Sequence, residues 1–497
     1  MATAFRRRNS AAALGAAVLA AIGVAGRARS ETLGDAIALA YQSNPTLQAQ
    51  RASLRALDES YVQARAGYRP TVTAQTTVTT ETNNYQQTFG GGAPNSHFPG
   101  DTQSTSSTVV VSQPLYTGGR VSTQVTAARA SVLAGREALR ATEEETLQNV
   151  IQVYVDVRRD QQSRAIQVES VGLLQRQLDE SRARFGVGDI TRTDVAETEA
   201  RVAGARAQLA SAEAQLATSR ATYASVVGEN PGQLAPEPSL AALLPPRLEQ
   251  AFDIAEANNP RLRQADFTEQ ASAARVAAAK AQTRPTVALQ ATYGYFGGLT
   301  GLGIPFVNYT HDLTASAVAS FPLFTGGMTS SQIRQAAETN NADRITIEAT
   351  RRQALLVVSQ AWNQLLGSRA NVLADQVQVR SANIAFEGTR QEARVGLRTT
   401  LDVLITEQDL ASAQLALINA RHDEYFAGAA LLAVLGQLNT TDFSPDTPIY
   451  DPRSNFDKVR RADSVPWEKA IEAVDHIAAP RVIERPAVVS AGDAPPN

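Results

Sequence analysis

The stretch Pro114-Leu115-Tyr116-Thr117-Gly118-Gly119 returns 208 residues later as Pro322-Leu323-Phe324-Thr325-Gly326-Gly327. The same offset carries Gly188-x-x-Thr191-x-x-Asp194-Val195 onto Gly396-x-x-Thr399-x-x-Asp402-Val403, and Gly228 onto Gly436. Upstream the offset is 215, with Leu33 on Leu248, Asn44-Pro45 on Asn259-Pro260 and Arg69-Pro70-Thr71-Val72 on Arg284-Pro285-Thr286-Val287. The first copy is therefore seven residues longer, and the excess sits between 72 and 113. Two long copies make a duplicated domain rather than a solenoid. They divide the chain into a first repeat over 31–230, a Pro-rich linker over 231–247, a second repeat over 248–438 and a C-terminal segment over 439–497.

Residues 1–30 read as a secretory signal: Arg6-Arg7-Arg8, an apolar run from about Ala11 to Gly26, then Ala28-Arg29-Ser30 with small residues at the cleavage positions. The run falls short of the roughly 18–20 residues that span a bilayer as a helix. Cysteine is absent, so there is no disulfide framework, thiolate metal site or lipid-modified N-terminal cysteine. Removing the five arginines of the signal leaves 41 basic against 49 acidic residues. The mature chain is mildly acidic at −8, which speaks against nucleic acid as a partner.

No proline falls between Pro114 and Pro231, or between Pro322 and Pro445. Ala, Gln, Glu, Arg and Leu dominate both runs, which favours very long helices. Gly186-x-Gly188 and Gly396 are the strong breaks, so each run reads as a helical hairpin, over 119–228 and 327–436. A descending arm over 119–186 or 327–394 would be about 100 Å long. The returning arms carry a seven-residue period: Val202, Leu209, Leu216 and Tyr223 with Ala205, Ala212, Ser219 and Val226, then Leu410, Leu417, Glu424 and Leu431 with Ala413, Ala420, Ala427 and Val434. That period predicts left-handed coiled-coil packing, and the small residues allow close approach.

Ahead of each hairpin the texture changes to Thr, Val, Ser and Tyr, which are strand residues. Strand pairs are expected over 71–115 and 286–323, joined by Gly/Asn/Pro-rich loops at 83–104 and 297–309. In the second copy Val287, Leu289, Ala291, Tyr293 and Tyr295 alternate with Ala288, Gln290, Thr292 and Gly294; Leu313, Ala315, Ala317, Ala319 and Phe321 alternate with small or polar residues. The first copy repeats this with Val72, Ala74, Thr76 and Val78, then Val109 and Val111. Alternating segments of about ten residues suit a membrane β-barrel as well as a soluble hairpin; the signal favours the barrel. Four strands cannot close a barrel, and an open edge in lipid costs several kcal/mol per unsatisfied backbone group. Two chains would give eight strands and a filled interior, three would give twelve and a lumen.

Asn44-Pro45, Arg69-Pro70, the doubled Pro-Leu-aromatic-Thr-Gly-Gly block and the Gly396-Leu397-Arg398-Thr399-Thr400-Leu401-Asp402-Val403-Leu404 turn together resemble the TolC family of outer-membrane channel-tunnels, from Leu33 to about Val459. The resemblance implies a mainly α fold with β, in which a homotrimer shares a twelve-stranded barrel in the outer membrane of a Gram-negative bacterium and a twelve-helix tunnel through the periplasm. It also implies docking of the tunnel tip to a periplasmic adaptor and an inner-membrane pump, either an ABC or a proton-driven transporter. A passive duct for protein secretion or drug efflux is the leading reading. A periplasmic adaptor or coiled-coil scaffold is the alternative, although adaptors usually carry one hairpin between small β-domains.

No catalytic or metal-binding constellation is present: His97, His311, His422 and His476 are scattered and no cofactor motif appears. The candidate function sits in the hairpin turns. Thr191 with Asp194, and Thr399 with Asp402, are spaced as capping boxes that start the returning helices. Gly188, Thr191, Gly396 and Thr399 mark the tips expected to contact the adaptor. The resemblance assigns a gate to Asp402, Arg398, Asp194 and Thr193: an acidic ring at Asp402, and Arg398 holding the Thr193–Asp194 pair when the tunnel is shut. Ile405 and Ala393 stand where the family has a second acid and a tyrosine, which implies a weaker closed gate. Arg398 falls opposite Ile190 and Leu401 opposite Thr193, so the two tips are not equivalent.

Overall fold

A computed structural model describes residues 30–87, 96–299, 307–462, 464–477 and 479–482. The expected signal up to Arg29 and the tail from 483 onward, where disorder is expected past Ala479, lie outside the described residues. The first copy runs α1 (Leu33–Ser43), α2 (Pro45–Arg65), a 3₁₀ turn at Ala66–Tyr68, β1 (Thr71–Gln87), β2 (Ser96–Tyr116), α3 (Arg120–Gly186) and α4 (Arg192–Val227). The second repeats it with α5 (Leu248–Asn258), α6 (Pro260–Ala281), β3 (Thr286–Leu299), β4 (Val307–Ser320), α7 (Met328–Arg394) and α8 (Thr400–Val434). The short helices α9 (Thr440–Phe443), α10 (Pro452–Val459) and α11 (Glu468–Ile477) follow.

The Asn-Pro motif forms the joint between the short helices. Asn44 Oδ1 accepts from the amides of Thr46 and Leu47 at 3.0 and 3.3 Å, and Pro45 occupies the first helical position, where no donor is lost. Its Nδ2 donates to Val226 O at 3.2 Å, fastening the joint to the last turn of α4. Asn259 repeats the arrangement, and its Nδ2 reaches Val434 O at 2.9 Å. The long arms are each 67 residues, about 100 Å at 1.5 Å per residue. Both start at a glycine in the left-handed region, Gly119 at φ 81° and Gly327 at φ 84°, where a side chain would be strained.

The heptads pack as expected. Val202, Ala205, Leu216, Ser219 and Tyr223 are buried along the α3–α4 seam, and Leu410, Ala413, Ala420, Ala427 and Leu431 along α7–α8. The thickest core lies mid-length, where Leu33 and Ile37 of α1 meet Val150, Ile151 and Tyr154 of α3, Tyr223 of α4 and Leu432 of α8. Leu234 and Leu240 of the Pro-rich linker are buried in this core, and Tyr154 Oη donates to Ala235 O at 2.7 Å, so the linker is part of the packed structure.

All four strands pair antiparallel in the order β1-β2-β3-β4. The ladder runs past the expected loop bounds, with Asn83 opposite Gly100 and Gly298 opposite Val307, because backbone pairing continues wherever a partner strand lies alongside, whatever the side chains. The register puts Val72, Ala74, Val78, Val109, Val111, Tyr293, Leu313 and Ala315 on one face and Thr73, Gln75, Thr108, Gln290, Thr314 and Ser316 on the other. β1 and β4 are unpaired edges, and Val72, Val78 and Leu313 are 66, 62 and 72 % exposed. Among the described residues, no helix is long and apolar enough to cross a membrane.

Among the described residues, the C-terminal helices α10 and α11 lock the first copy. Asp475 of α11, fully buried, accepts from Thr117 N at 2.8 Å, Thr117 Oγ1 at 2.9 Å, Gly119 N at 3.1 Å and Ser122 N at 3.4 Å. Glu468 binds Arg65 and Arg69 at 2.7 and 3.3 Å, and Asn455 of α10 donates to the buried Asp58. The matching turn of the second copy carries no such cover among the described residues: Leu323 and Phe324 are 86 and 88 % exposed.

Candidate functional site

Both hairpin tips are built the same way. Gly188 (φ 82°) and Gly396 (φ 78°) reverse the chain after α3 and α7. Thr191 and Thr399 then cap the returning helices in complete capping boxes, with Thr191 N and Oγ1 each donating to Asp194 Oδ2 at 2.8 Å, and Thr399 N and Oγ1 to Asp402 Oδ2 at 3.0 and 2.9 Å. These bonds, from the threonine amide first and its hydroxyl second, hold both carboxyls below the usual carboxylate range; Arg184 and Arg398 lower them further. Both acids thus stay ionised at neutral and mildly acidic pH. What they add to helix stability is present above their ordinary value and lost as pH falls through the depressed one.

The tips differ in charge. At the first, Arg184 on the descending helix donates to Asp189 in the turn at 2.7 Å; at the second, Glu392 on the descending helix accepts from Arg398 in the turn at 3.0 Å. Glu392 occupies the position that Arg184 holds in the first copy, so the pair is reversed. Glu392 raises the Arg398 guanidinium above its ordinary value, first by the hydrogen bond and then by its charge. Within one chain Arg398 is engaged with Glu392, and no described hydrogen bond or ion pair joins it to Thr193 or Asp194. Thr193 is exposed, as are Leu401 and Ile405, while Ala393 packs near Phe386 and Val403.

The two tips are fastened to each other a turn or two above the bend. Leu404 of α8 inserts among Leu174 and Leu178 of α3 and Val202 and Ala205 of α4. Ser170 Oγ donates to Glu407 Oε1 at 2.6 Å, both residues buried, and Arg201 donates to Gln408 at 2.6 Å. Burial raises the Glu407 carboxyl, opposed by the Ser170 bond and the Arg201 charge. Beside Leu404 and Glu407 a groove of about 220 Å³ opens toward Arg176, Arg390 and Arg394. The Ser170–Glu407 link was not legible in sequence, because its ends are 237 residues apart. The Arg184/Glu392 reversal was legible, since laying the copies over one another exposes it.

Further up the α3–α8 seam, His422 Nε2 lies 2.9 Å from Asp156 and Nδ1 2.9 Å from Asp423. Burial lowers its pKa, but the two carboxylates outweigh burial and leave it raised, while Arg159 opposes them. Protonated His422 therefore stabilises the seam fully below the ordinary histidine value of about 6.5, and the contribution is lost as pH rises through the raised value. Thermal unfolding between pH 5 and about 9 should show this slope, and His422→Gln should flatten it.

Long helical hairpins carrying a four-stranded sheet with one apolar and one polar face are the architecture of an outer-membrane channel subunit. The chain belongs to the outer membrane efflux protein family, the TolC-type outer membrane factors, which it matches over residues 36–229 and 251–437. It is 32% identical to the outer membrane efflux protein BepC of Brucella suis, over 87% of this chain and 91% of that one. It is 27% identical to the alkaline protease secretion protein AprF of Pseudomonas aeruginosa, covering 63% of this chain and 66% of the relative. The open-state MtrE outer membrane channel of Neisseria gonorrhoeae shares the fold, with a TM-score of 0.67 at 20% identity over 84% of this chain and 91% of that one. Family membership sets aside the adaptor reading.

Proposed function

We propose that three copies of this chain share one twelve-stranded barrel in the outer membrane and continue as a helical tunnel into the periplasm, forming a passive export duct. One observation carries this reading: a four-stranded sheet with an apolar face, a polar face and two unpaired edges. In lipid those edges must be closed by other strands, and twelve strands leave the water-filled lumen that eight would not. The cargo is driven by an inner-membrane pump coupled through a periplasmic adaptor at the tips, where Gly188, Thr191, Gly396 and Thr399 shape the docking turns. Both efflux and protein secretion occur among the relatives' names, which fits a duct whose cargo is selected by its pump.

The tips form the gate. Three copies of Asp402 around an axis present a ring of ionised carboxylates that attracts cations and narrows the path. Arg398 exchanges Glu392 for the Thr193–Asp194 pair of a first-copy tip as the tunnel closes. Ala393 and Ile405 leave this closure with fewer contacts than a doubled acidic ring and a tyrosine would supply. The purified protein in planar bilayers should conduct as a trimer. Asp402→Ala should weaken block by multivalent cations and lower cation selectivity; a silent monomer overturns the duct, and unchanged block overturns the assignment of Asp402.

A further inference from the structure

Helix α11 is turned inside out. Its inward face carries the acids Glu468 and Asp475 with Ile471, 1, 0 and 7 % exposed, while Trp467 at its entry, Val474 and Ile477 face outward at 50, 48 and 84 %. A helix packed on a core in water shows the opposite arrangement. The inward face is explained by the strand–helix junction, where Arg65 and Arg69 take Glu468 and the turn amides take Asp475. Within the described residues the outward face has no such explanation. Trp467, Ala470, Val474 and Ile477 follow one another at three- and four-residue steps, so they form a single stripe along the helix.

The stripe begins where the sheet ends. Trp467 Nε1 donates to Gln113 Oε1 at 3.1 Å. Gln113 pairs with Leu289 and follows Val109 and Val111 at the two-residue period, so it closes the apolar face of β2 just before the bulge at Pro114 and Tyr116. From there α11 crosses to the turn that opens α3, where Asp475 is held. The stripe therefore continues the apolar face past the end of the strands. The exposed charges beside it are basic: Lys458, Arg461, Lys469 and Arg481 among the described residues, with Arg460 taken up by Asp457 at 3.1 Å. The carbonyls of Arg460 and Ala462 accept from Arg65 and Arg69 at 3.2 Å each, which keeps this basic segment level with the junction.

We propose that α11 is an interfacial foot, whose stripe from Trp467 to Ile477 beds in the phospholipid leaflet at the helix end of the barrel while the flanking Lys and Arg side chains meet anionic headgroups. The inference rests on the barrel reading above, which puts that end of the sheet at the periplasmic surface of the membrane. An indole with its N–H satisfied and half its surface free suits the boundary between headgroups and acyl chains. An apolar stripe bordered by basic side chains is what holds a helix in that plane. A protein partner fits less well. Four side chains along about 15 Å of helix fall far short of the roughly 800 Å² per partner of a stable interface, whereas a leaflet sets no minimum size. Glu468 and Asp475 carry the anchorage inward, so the foot fixes how deep the first copy's junction sits against the leaflet.

Tryptophan fluorescence tests this directly, because the chain has only Trp362 and Trp467, and Trp362 is half-buried against the α5–α7–α8 core. The full chain carrying Trp362→Phe is reconstituted in vesicles of phosphatidylethanolamine and phosphatidylglycerol whose acyl chains are brominated either near the glycerol or near the methyl end. Trp467 should lose at least about half its emission to the shallow bromines and clearly less to the deep ones. The difference between the parent chain and Trp467→Phe gives the same reading with Trp362 in place. A chain carrying Trp362→Phe, Trp467→Phe and Leu313→Trp reports on the sheet, and the deep bromines should quench it. If that reporter is quenched and Trp467 is not, the foot alone is overturned: blue emission from Trp467 would assign the stripe to the tail from 483 onward or to a second copy, and red emission to water. If the sheet reporter is not quenched, the barrel reading falls and the foot with it.

Discussion

Asp475→Ala is expected to destabilise the first strand–helix junction by at least about 3 kcal/mol, although the residue lies 353 positions in sequence from Ser122, the nearest of the junction residues that donate to it. The carboxylate is fully buried and satisfies the amides of Thr117, Gly119 and Ser122 together with the Thr117 hydroxyl. Two of those amides belong to the turn entering α3 and one to its first turn, where a helix has no internal acceptors to offer and where negative charge is favoured. Each buried donor left unmade costs about 1–3 kcal/mol, and water entering the vacated space recovers part of the sum. The measurement is the thermal unfolding temperature of the purified protein, together with proteolysis near Thr117. Asp475→Asn, which keeps one acceptor oxygen, should lose clearly less. A variant that melts with the parent would show that α11 contributes nothing to the junction.

Leu313→Arg and Ser316→Arg should behave oppositely although both positions are exposed on the isolated subunit and lie three residues apart on β4. Leu313 shares a face with Tyr293 and Ala291, whereas Ser316 shares one with Gln290 and Thr292. On the lipid side of the proposed barrel an arginine costs about 2–4 kcal/mol near the midplane, so Leu313→Arg should sharply reduce the protein recovered from outer membranes. On the lumen side the guanidinium remains in water, so Ser316→Arg should assemble normally. The added positive charge, one per copy, should then shift the conductance of the proposed duct toward anions. Equal assembly of both variants would refute the assignment of faces.

Much of this molecule could be read from the chain because its determinants are local and occur twice. The Asn-Pro joints, the Gly-started long helices, the heptad seams and both capping boxes each depend on residues within a few positions of one another, and the structure returns each of them in both copies. The strand bounds were less legible, since pairing runs on through Gly, Asn and Pro positions that read as loop. At the tips, Thr191, Asp194, Thr399 and Asp402 lie where their spacing put them. The partner of Arg398 within the chain did not follow: it is Glu392, six residues away across the turn, a contact that the bend of the turn brings about.

By itself the sequence determined the duplication, the class of each element, the two faces of the strands and the chemistry of the turns, because periodicity and capping act over one or two helical turns. Only the tertiary structure decided how unlike the two copies are. It placed Asp475 in the nest of the first turn, left Leu323 and Phe324 of the second uncovered, joined Ser170 to Glu407 and His422 to Asp156, and buried the linker. These contacts join segments up to several hundred residues apart, and nothing in either segment's own pattern names the other. Their stability comes from removing specific polar and apolar groups from water together, a condition set by the path of the whole chain.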